Sequence, residues 1–237
     1  MTEETRQFLK NLRLAKILEI LGEELELAQT KDSPHEEFLL RLLRAQWHYG
    51  QEKALEYRKK RARLPFAWSL KTFPFKKQPG VSRRLINGLA TLDFIPRAEN
   101  IIFVGKTGVG KTGLLIGLLL QALESGYRAL FVKAQDLFDE MYASLADRST
   151  PKLVRQLAKI DLLGIDELGY TNVRPEQANV FFRLMEERYM RKPTIITTNL
   201  EYDEWHHHLG NPSMVEALLS RLLHHCQTIR IDGPSLR

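Results

Sequence analysis

The sequence contains one cysteine, Cys226, among its 237 residues. An internal disulfide is therefore impossible, and the thiol is interpreted as a small apolar group near the C-terminus. Long apolar runs are also missing, because the longest, residues 114–120, is far shorter than the roughly 20 residues of a membrane span. The first 30 residues carry acids and bases without a continuous apolar segment, which argues against a secretory signal. These absences predict a cytoplasmic protein without a membrane partner.

Positive charge is only slightly in excess, with 35 Lys and Arg against 29 Asp and Glu. Hydrophobic residues make up 43% and charged residues 27%, so the chain can bury a core like an ordinary globular protein. Residues 58–84 contain many bases and no acid, and are either a solvated linker or a surface that contacts a phosphate backbone. These bases are Arg58, Lys59, Lys60, Arg61, Arg63, Lys71, Lys76, Lys77, Arg83 and Arg84.

The N-terminal part of the chain has the apolar spacing of amphipathic helices. Residues 4–21 predict one such helix, and Ser33-Pro34-His35-Glu36 is a start signal for a second. The helical pattern ends at Pro65. We therefore predict an all-helical domain over residues 1–65 and a second domain over residues 66–237. The apolar faces of the helical domain either form its own core or bind a partner.

The second domain alternates short apolar runs, rich in β-branched and aromatic residues, with helical segments. This pattern predicts an α/β fold with a mostly parallel five-stranded sheet covered by helices on both faces. Trp205 in this domain and Trp47 in the first are interpreted as core anchors. The predicted strands are residues 100–104, 128–133, 160–165, 194–198 and 228–231, and the predicted helices are 111–125, 135–146, 151–159, 175–191, 201–209 and 213–225.

A phosphate-binding motif lies between the first predicted strand and its following helix. It matches the pattern G-x-x-x-x-G-K-[ST], which binds ATP and Mg²⁺ in this context. Its glycines let backbone N–H groups surround the phosphates, Lys111 is predicted to reach the β- and γ-phosphates, and Thr112 to coordinate Mg²⁺. Lys106 either touches phosphate or points to solvent. The motif consists of Gly105, Lys106, Thr107, Gly108, Val109, Gly110, Lys111 and Thr112.

Polar residues follow two later strands and predict hydrolysis. Asp166 and Glu167 end the third strand, where Asp166 would hold Mg²⁺ through its water shell and Glu167 would orient or deprotonate the attacking water. The alternative is that both acids only cap the following helix. Asn199 ends the fourth strand, where its amide would bridge the γ-phosphate and the water or, alternatively, cap a turn.

With these motifs, the chain resembles the IstB-like insertion-sequence ATP-binding proteins, AAA+ ATPases related to the DnaC helicase loaders. The resemblance covers roughly residues 66 to 237. Gly113, where the family usually has His, and Gly164, in a usually aliphatic strand, depart from its pattern. The supporting strings are residues 92–95, 126–128, 161–170, 187–189, 197–200, 204–205 and 220–225, with a Gly233-x-Ser235-x-Arg237 ending.

The resemblance implies further properties. Family members assemble side by side with ATP at subunit interfaces, bind duplex DNA without strong sequence preference and assist a cognate transposase. Arg221 matches the arginine that reaches a neighbour's γ-phosphate, although it could instead pair with a surface acid. The helical lid of other AAA+ proteins is expected to be reduced or absent, and Arg237 could replace an arginine that the lid carries.

Three functions therefore compete. The first is an ATP-dependent transposition helper, and the second is a DnaC-like loader whose N-terminal helices bind a replicative helicase. The third, a small-molecule kinase, needs a lid and an acceptor pocket, whereas Asp166, Glu167 and Asn199 suit water as the acceptor. The binding partner of the N-terminal domain would discriminate the first two.

Overall fold

A computed structural model describes residues 2–170 and 173–236 of the chain. Arg237, which the sequence offers as a substitute for a lid arginine, lies outside the described residues. Packing divides the chain into two compact units, and the division falls between Tyr57 and Arg58. The boundary near residue 65 that the helical pattern suggests stays a prediction.

The first unit is built from helices α1 (Glu3–Asn11), α2 (Ala15–Thr30) and the larger part of α3 (His35–Arg61). Its buried core is small and consists of Ile17, Leu21 and Leu42. The side-chain oxygen of Gln46 in α3 accepts hydrogen bonds from the backbone N–H groups of Lys16 and Ile17, at distances of 3.0 and 3.3 Å. Gln46 thus satisfies the start of α2, which has no side-chain cap of its own.

Two expectations for this unit are wrong. The single helix predicted over residues 4–21 is broken between α1 and α2, where Arg13 adopts a left-handed conformation with φ of 57°. Asn11, the last residue of α1, is the local signal of the break, but the apolar spacing continues across it and by itself predicts one helix. Trp47 is 61% exposed and therefore does not anchor a core, whereas Trp205 in the second unit is buried as predicted.

The second unit contains a five-stranded parallel sheet with strand order β2-β3-β4-β1-β5. The predicted α/β fold, a parallel five-stranded sheet flanked by helices, is confirmed. The strands are β1 (Asn100–Gly105), β2 (Ala129–Lys133), β3 (Leu162–Leu168), β4 (Thr194–Thr198) and β5 (Cys226–Ile231). The helices are α4 (Arg83–Leu89), α5 (Lys111–Glu124), α6 (Ala134–Ala146), α7 (Thr150–Ala158), α8 (Pro175–Arg188), α9 (Trp205–Leu209) and α10 (Pro212–His224).

Side chains on β3 alternate between the two faces of the sheet. Leu163 and Ile165 belong to the core shared with α6, α7 and α8. Gly164 faces α5, and a Cβ atom there would lie 2.7 Å from Leu115 and 2.8 Å from Leu119. The sheet is therefore covered on both sides, and glycine lets α5 approach it closely.

The segment between α3 and α4 is more ordered than the sequence indicates. It forms two short 3-10 helices, Leu70–Thr72 and Phe75–Lys77, and buries Phe73 almost completely. Along the described residues, no helix combines the length and the apolar character needed to cross a bilayer.

Candidate nucleotide-binding site

The site lies where the carboxyl ends of β1, β3 and β4 meet. Because β4 lies between β1 and β3 in the sheet, a side chain near its end is placed between the phosphate-binding loop and the acidic pair. Thr197 occupies this position, in register with Phe103 of β1. A cleft of about 230 Å³ is formed there and includes Lys111, Thr112 and Glu167 in its lining.

The loop from Gly105 to Thr112 connects β1 to α5 as predicted. Gly108 and Gly110 have φ values of 85° and 101°, a left-handed conformation that residues with a Cβ rarely adopt. Gly110 directly precedes the first residue of α5, so the loop leads into the positive end of that helix. The Lys111 ammonium donates hydrogen bonds to the backbone oxygens of Gly105 and Lys106, at 2.5 and 2.8 Å.

Asp166 is held between two threonine hydroxyls. Thr112 Oγ1 donates to the carboxylate at 3.0 Å, and Thr197 Oγ1 donates to it at 2.6 Å. Asp166 is only 2% exposed, and this burial raises its pKa above the ordinary value although both hydroxyls act in the opposite direction. The arrangement brings Thr112 and Asp166, the two predicted Mg²⁺ residues, into direct contact.

Glu167 lies beside this buried group and is half-exposed. The pairing of β3 with β4 is irregular between Ile165 and Leu168, and Glu167 has φ of 61° within this irregularity. Its backbone N–H donates to Thr197 Oγ1 at 2.9 Å, and its carboxylate is 4.0 Å from the Lys133 ammonium. A non-glycine residue in this conformation carries strain, which is a frequent feature of functional sites.

The remaining predicted residues lie at the edges of the cleft or beyond it. Lys106 is exposed, and Asn199 is exposed at the end of β4 with its side chain beside Gly169. Arg221 lies in α10, where it hydrogen-bonds its own helix and forms an ion pair of 3.5 Å with Glu186. Its predicted role toward a neighbouring subunit stays a prediction.

Sequence reasoning assigned no role to several residues in the cleft. Thr197 contacts both acids, and the Tyr170 hydroxyl is 2.6 Å from Thr107 Oγ1 in the phosphate-binding loop. Phe66 and Trp68, which precede β1 by more than 30 residues in sequence, also line the cleft. A threonine inside an apolar strand and aromatics in a linker have no local signature. The sheet order reveals the threonine, and packing against α5 places Trp68.

The donors present suit a nucleotide and a divalent cation. The loop supplies backbone N–H groups and one ammonium, which match phosphate oxygens. Thr112 and Asp166 supply hard oxygen atoms of the kind that Mg²⁺ prefers, together with room for water ligands in the open cleft.

The strand order, the phosphate-binding loop after β1 and the acidic pair after β3 define an ATP-binding P-loop protein of the AAA+ class. The crystal structure of DnaI superposes with a TM-score of 0.60 at 22% identity, covering 73% of this chain and 93% of DnaI. The DnaC helicase loader superposes with a TM-score of 0.55 at 23% identity, covering 62% of this chain and 86% of DnaC. At these identities the likeness shows the fold alone.

The chain belongs to the IstB-like ATP binding protein family, whose model matches residues 7–237. The ATP-binding protein of insertion sequence IS21 from Pseudomonas aeruginosa is 37% identical over 213 residues, 90% of this chain and 80% of the relative. The ATP-binding protein of insertion sequence IS5376 from Geobacillus stearothermophilus is 35% identical over 237 residues, 100% of this chain and 94% of the relative.

Proposed function

We propose that this protein is a Mg²⁺-dependent ATP hydrolase that works as the helper of a transposase. The observation that carries the hydrolase proposal is the cleft in which Lys111, Thr112, Asp166 and Glu167 converge. Three sheet strands position these groups, so they are held in place before the nucleotide binds.

Each residue has a distinct role in this proposal. Lys111 would neutralise charge on the β- and γ-phosphates, and Thr112 and Asp166 would hold Mg²⁺, which supplies electrostatic stabilisation when bound. Glu167, which is exposed to the cleft, would orient or deprotonate the attacking water. Thr197 would keep both acids aligned through its hydrogen bonds to them, and Asn199 would bridge the γ-phosphate and the water.

Two substitutions separate binding from hydrolysis. Lys111→Ala is expected to abolish ATP binding, and Glu167→Gln to bind ATP normally while turnover falls at least about 100-fold, because the base is lost. The measurements are isothermal titration calorimetry with MgATP and steady-state phosphate release. Lys152→Ala and Glu176→Gln, at exposed positions outside the cleft, are the matched controls. Hydrolysis by Glu167→Gln at the wild-type rate would contradict the assigned role.

The transposition part of the proposal is supported by the insertion-sequence relatives and by the charge of the chain. We propose that ATP drives side-by-side assembly on duplex DNA without strong sequence preference, and that this assembly recruits a cognate transposase. The bases of residues 58–84 are candidates for backbone contact. Lys59 and Arg63 pair with Glu124 and Glu140, while Lys71, Lys76 and Lys77 are exposed on the linker.

Sedimentation with random-sequence duplex DNA tests this part. A large complex that forms with ATP, not with ADP, and weakens steeply with added salt is expected, because phosphate contacts release counterions. Replacing Lys71, Lys76 and Lys77 together by Ala is expected to weaken the complex and to reduce its salt dependence. Absence of a DNA complex under all nucleotide conditions would contradict the DNA-binding proposal.

The second candidate is a helicase loader, and one feature of the first unit favours it. Helix α3 exposes an apolar face with the spacing of a protein-binding helix. Failure to bind DNA together with co-sedimentation of a replicative helicase would support the loader over the transposition helper. The residues of this face are Leu39, Leu40, Leu43 and Trp47, which are between 42% and 61% exposed.

A further inference from the structure

Two aromatic side chains from the segment before β1 line the candidate nucleotide cleft. The rings of Phe66 and Trp68 meet edge to face, with centroids 6.2 Å apart and planes at 68°. Among the described residues that line the cleft, Phe66, Trp68 and Leu236 have large side chains without a hydroxyl group or a charge. The loop instead supplies glycine, hydroxyl and ammonium groups. The cleft therefore has an apolar wall beside its phosphate-binding floor.

The indole of Trp68 lies directly on the first turn of α5. A Cβ atom at Gly113 would be 2.9 Å from Trp68 Cε2 and 3.1 Å from Nε1, so the ring occupies the space that a side chain there would need. One turn later, a Cβ atom at Gly117 would be 2.4 Å from the Leu70 side chain. Gly113 and Gly117 thus form a groove in α5 that fixes the position of the linker and of Trp68.

The indole N–H of Trp68 is shielded from solvent and has no acceptor among the described residues. Because Nε1 lies against Gly113 of α5, Trp68 presents its aromatic ring, and not this N–H group, to a ligand in the cleft.

We propose that Trp68, supported by Phe66 and Gly113, forms the wall that binds the purine base of the nucleotide. This inference rests on the proposed nucleotide site at Lys111 and Thr112. The loop glycines and Trp68 line the same cleft, so a triphosphate bound on the loop would carry its base beside an aromatic ring on which a purine can stack. Base–aromatic stacking is typically worth enough for about a tenfold change in affinity or more on truncation to alanine.

The test compares a ligand that has a base with one that lacks it. MgATP and magnesium tripolyphosphate are titrated by calorimetry into the wild type, Trp68→Ala and Trp68→Phe. Trp68→Ala is expected to weaken ATP about tenfold or more and to leave tripolyphosphate unchanged, and Trp68→Phe to recover most of the affinity for ATP. Thermal unfolding by circular dichroism checks that each variant is folded.

A glycine substitution tests the support of the indole. Gly113→Ala is expected to weaken ATP because the added methyl group displaces the ring, and its effect is expected to be small once Trp68 is already Ala. Gly88→Ala in α4, where an added Cβ meets nothing within 4 Å, is the control. Independent, additive effects of Gly113→Ala and Trp68→Ala would contradict the support that we assign to Gly113.

The outcomes separate this inference from the proposed function. Equal weakening of ATP and tripolyphosphate by Trp68→Ala, or no change in either, would overturn the base-binding role while Lys111→Ala still abolishes binding. If the wild type binds neither ligand, the proposed nucleotide site itself fails.

Discussion

Arg188, the last residue of α8, is a charged residue that is almost completely buried. It is 1% exposed, and its guanidinium donates to Thr194 Oγ1 and to the backbone oxygens of Leu157, Ile160 and Pro193. Burial lowers its pKa to about 9, which leaves it charged at neutral pH. Four hydrogen bonds from one guanidinium thus join α7, the segment before β3 and the start of β4.

Replacing this residue tests how much the fold depends on it. Arg188→Met is expected to lower the free energy of unfolding by about 3 kcal/mol, because it leaves several buried carbonyl oxygens without donors. Arg191→Met, at a side chain that is 71% exposed, is the control and is expected to change stability by less than about 0.5 kcal/mol. Urea unfolding measures both, and equal unfolding midpoints would contradict the role of Arg188.

Two glycines that depart from the family pattern have packing explanations. Gly113 makes room for the Trp68 indole, and Gly164 makes room for Leu115 and Leu119 of α5. In both places a side chain from another element fills the space next to the glycine. The sequence shows the departures, whereas the reason for them lies in residues distant along the chain.

At the scale of elements, Asp161 connects the starts of two strands and the approach to a third. Its carboxylate accepts hydrogen bonds from the Arg128 guanidinium at 3.1 and 3.2 Å and from the Lys192 ammonium at 2.7 Å. Partial burial acts to raise the pKa of Asp161, but the hydrogen bonds from Arg128 and Lys192 outweigh it and hold the pKa well below its ordinary value.

This pKa shift gives a pH-dependent stability. A carboxylate whose pKa is lower in the folded state stabilises the fold in full above its unfolded pKa, about 3.9, and loses that contribution as the pH falls through the folded value. Asp161→Asn is expected to cost about 1–2 kcal/mol at pH 7, and the difference from wild type is expected to shrink below about pH 4.

Denaturant unfolding between pH 7 and pH 3 measures this difference. Asp139→Asn is the control, because Asp139 is exposed and accepts a hydrogen bond from Gln135 of the same helix, α6. A difference between Asp161→Asn and wild type that stays constant down to pH 3 would contradict the ion-pair explanation.

At the scale of the whole molecule, the proposed assembly predicts that an arginine of one subunit acts at the nucleotide site of its neighbour. Arg221 pairs with Glu186 of its own chain and is 43% exposed, so it is accessible to a neighbour. We expect Arg221 to complete the site of the next subunit. Arg221→Ala is then expected to keep ATP binding and to lose hydrolysis by about 1000-fold or more.

Mixing two inactive variants distinguishes action in trans from action in cis. In a mixture of Arg221→Ala and Glu167→Gln, some interfaces contain Glu167 from one variant and Arg221 from the other. Phosphate release by the mixture is therefore expected to exceed that of either variant alone. No recovery, although both variants still assemble with ATP, would show that Arg221 does not act on a neighbour.

The sequence by itself determined the strands, the phosphate-binding loop and the acidic pair. Each is a local pattern: apolar runs of strand length, glycines at fixed spacing before Lys111, and two acids after a buried strand. The parallel five-stranded sheet followed from the alternation of strands and helices, and the structure confirms it. The break at Arg13 was missed because the apolar spacing continues across it, although Asn11 ends α1 two residues earlier.

Only the tertiary structure decided which distant residues complete the site. Placing β4 between β1 and β3 puts Thr197 against Asp166 and Glu167, and the groove in α5 holds Trp68 over Gly113. A threonine in a strand and a tryptophan in a basic linker look the same in sequence whether or not they have these neighbours. Strand order and helix packing depend on contacts between segments far apart along the chain, which local spacing does not encode.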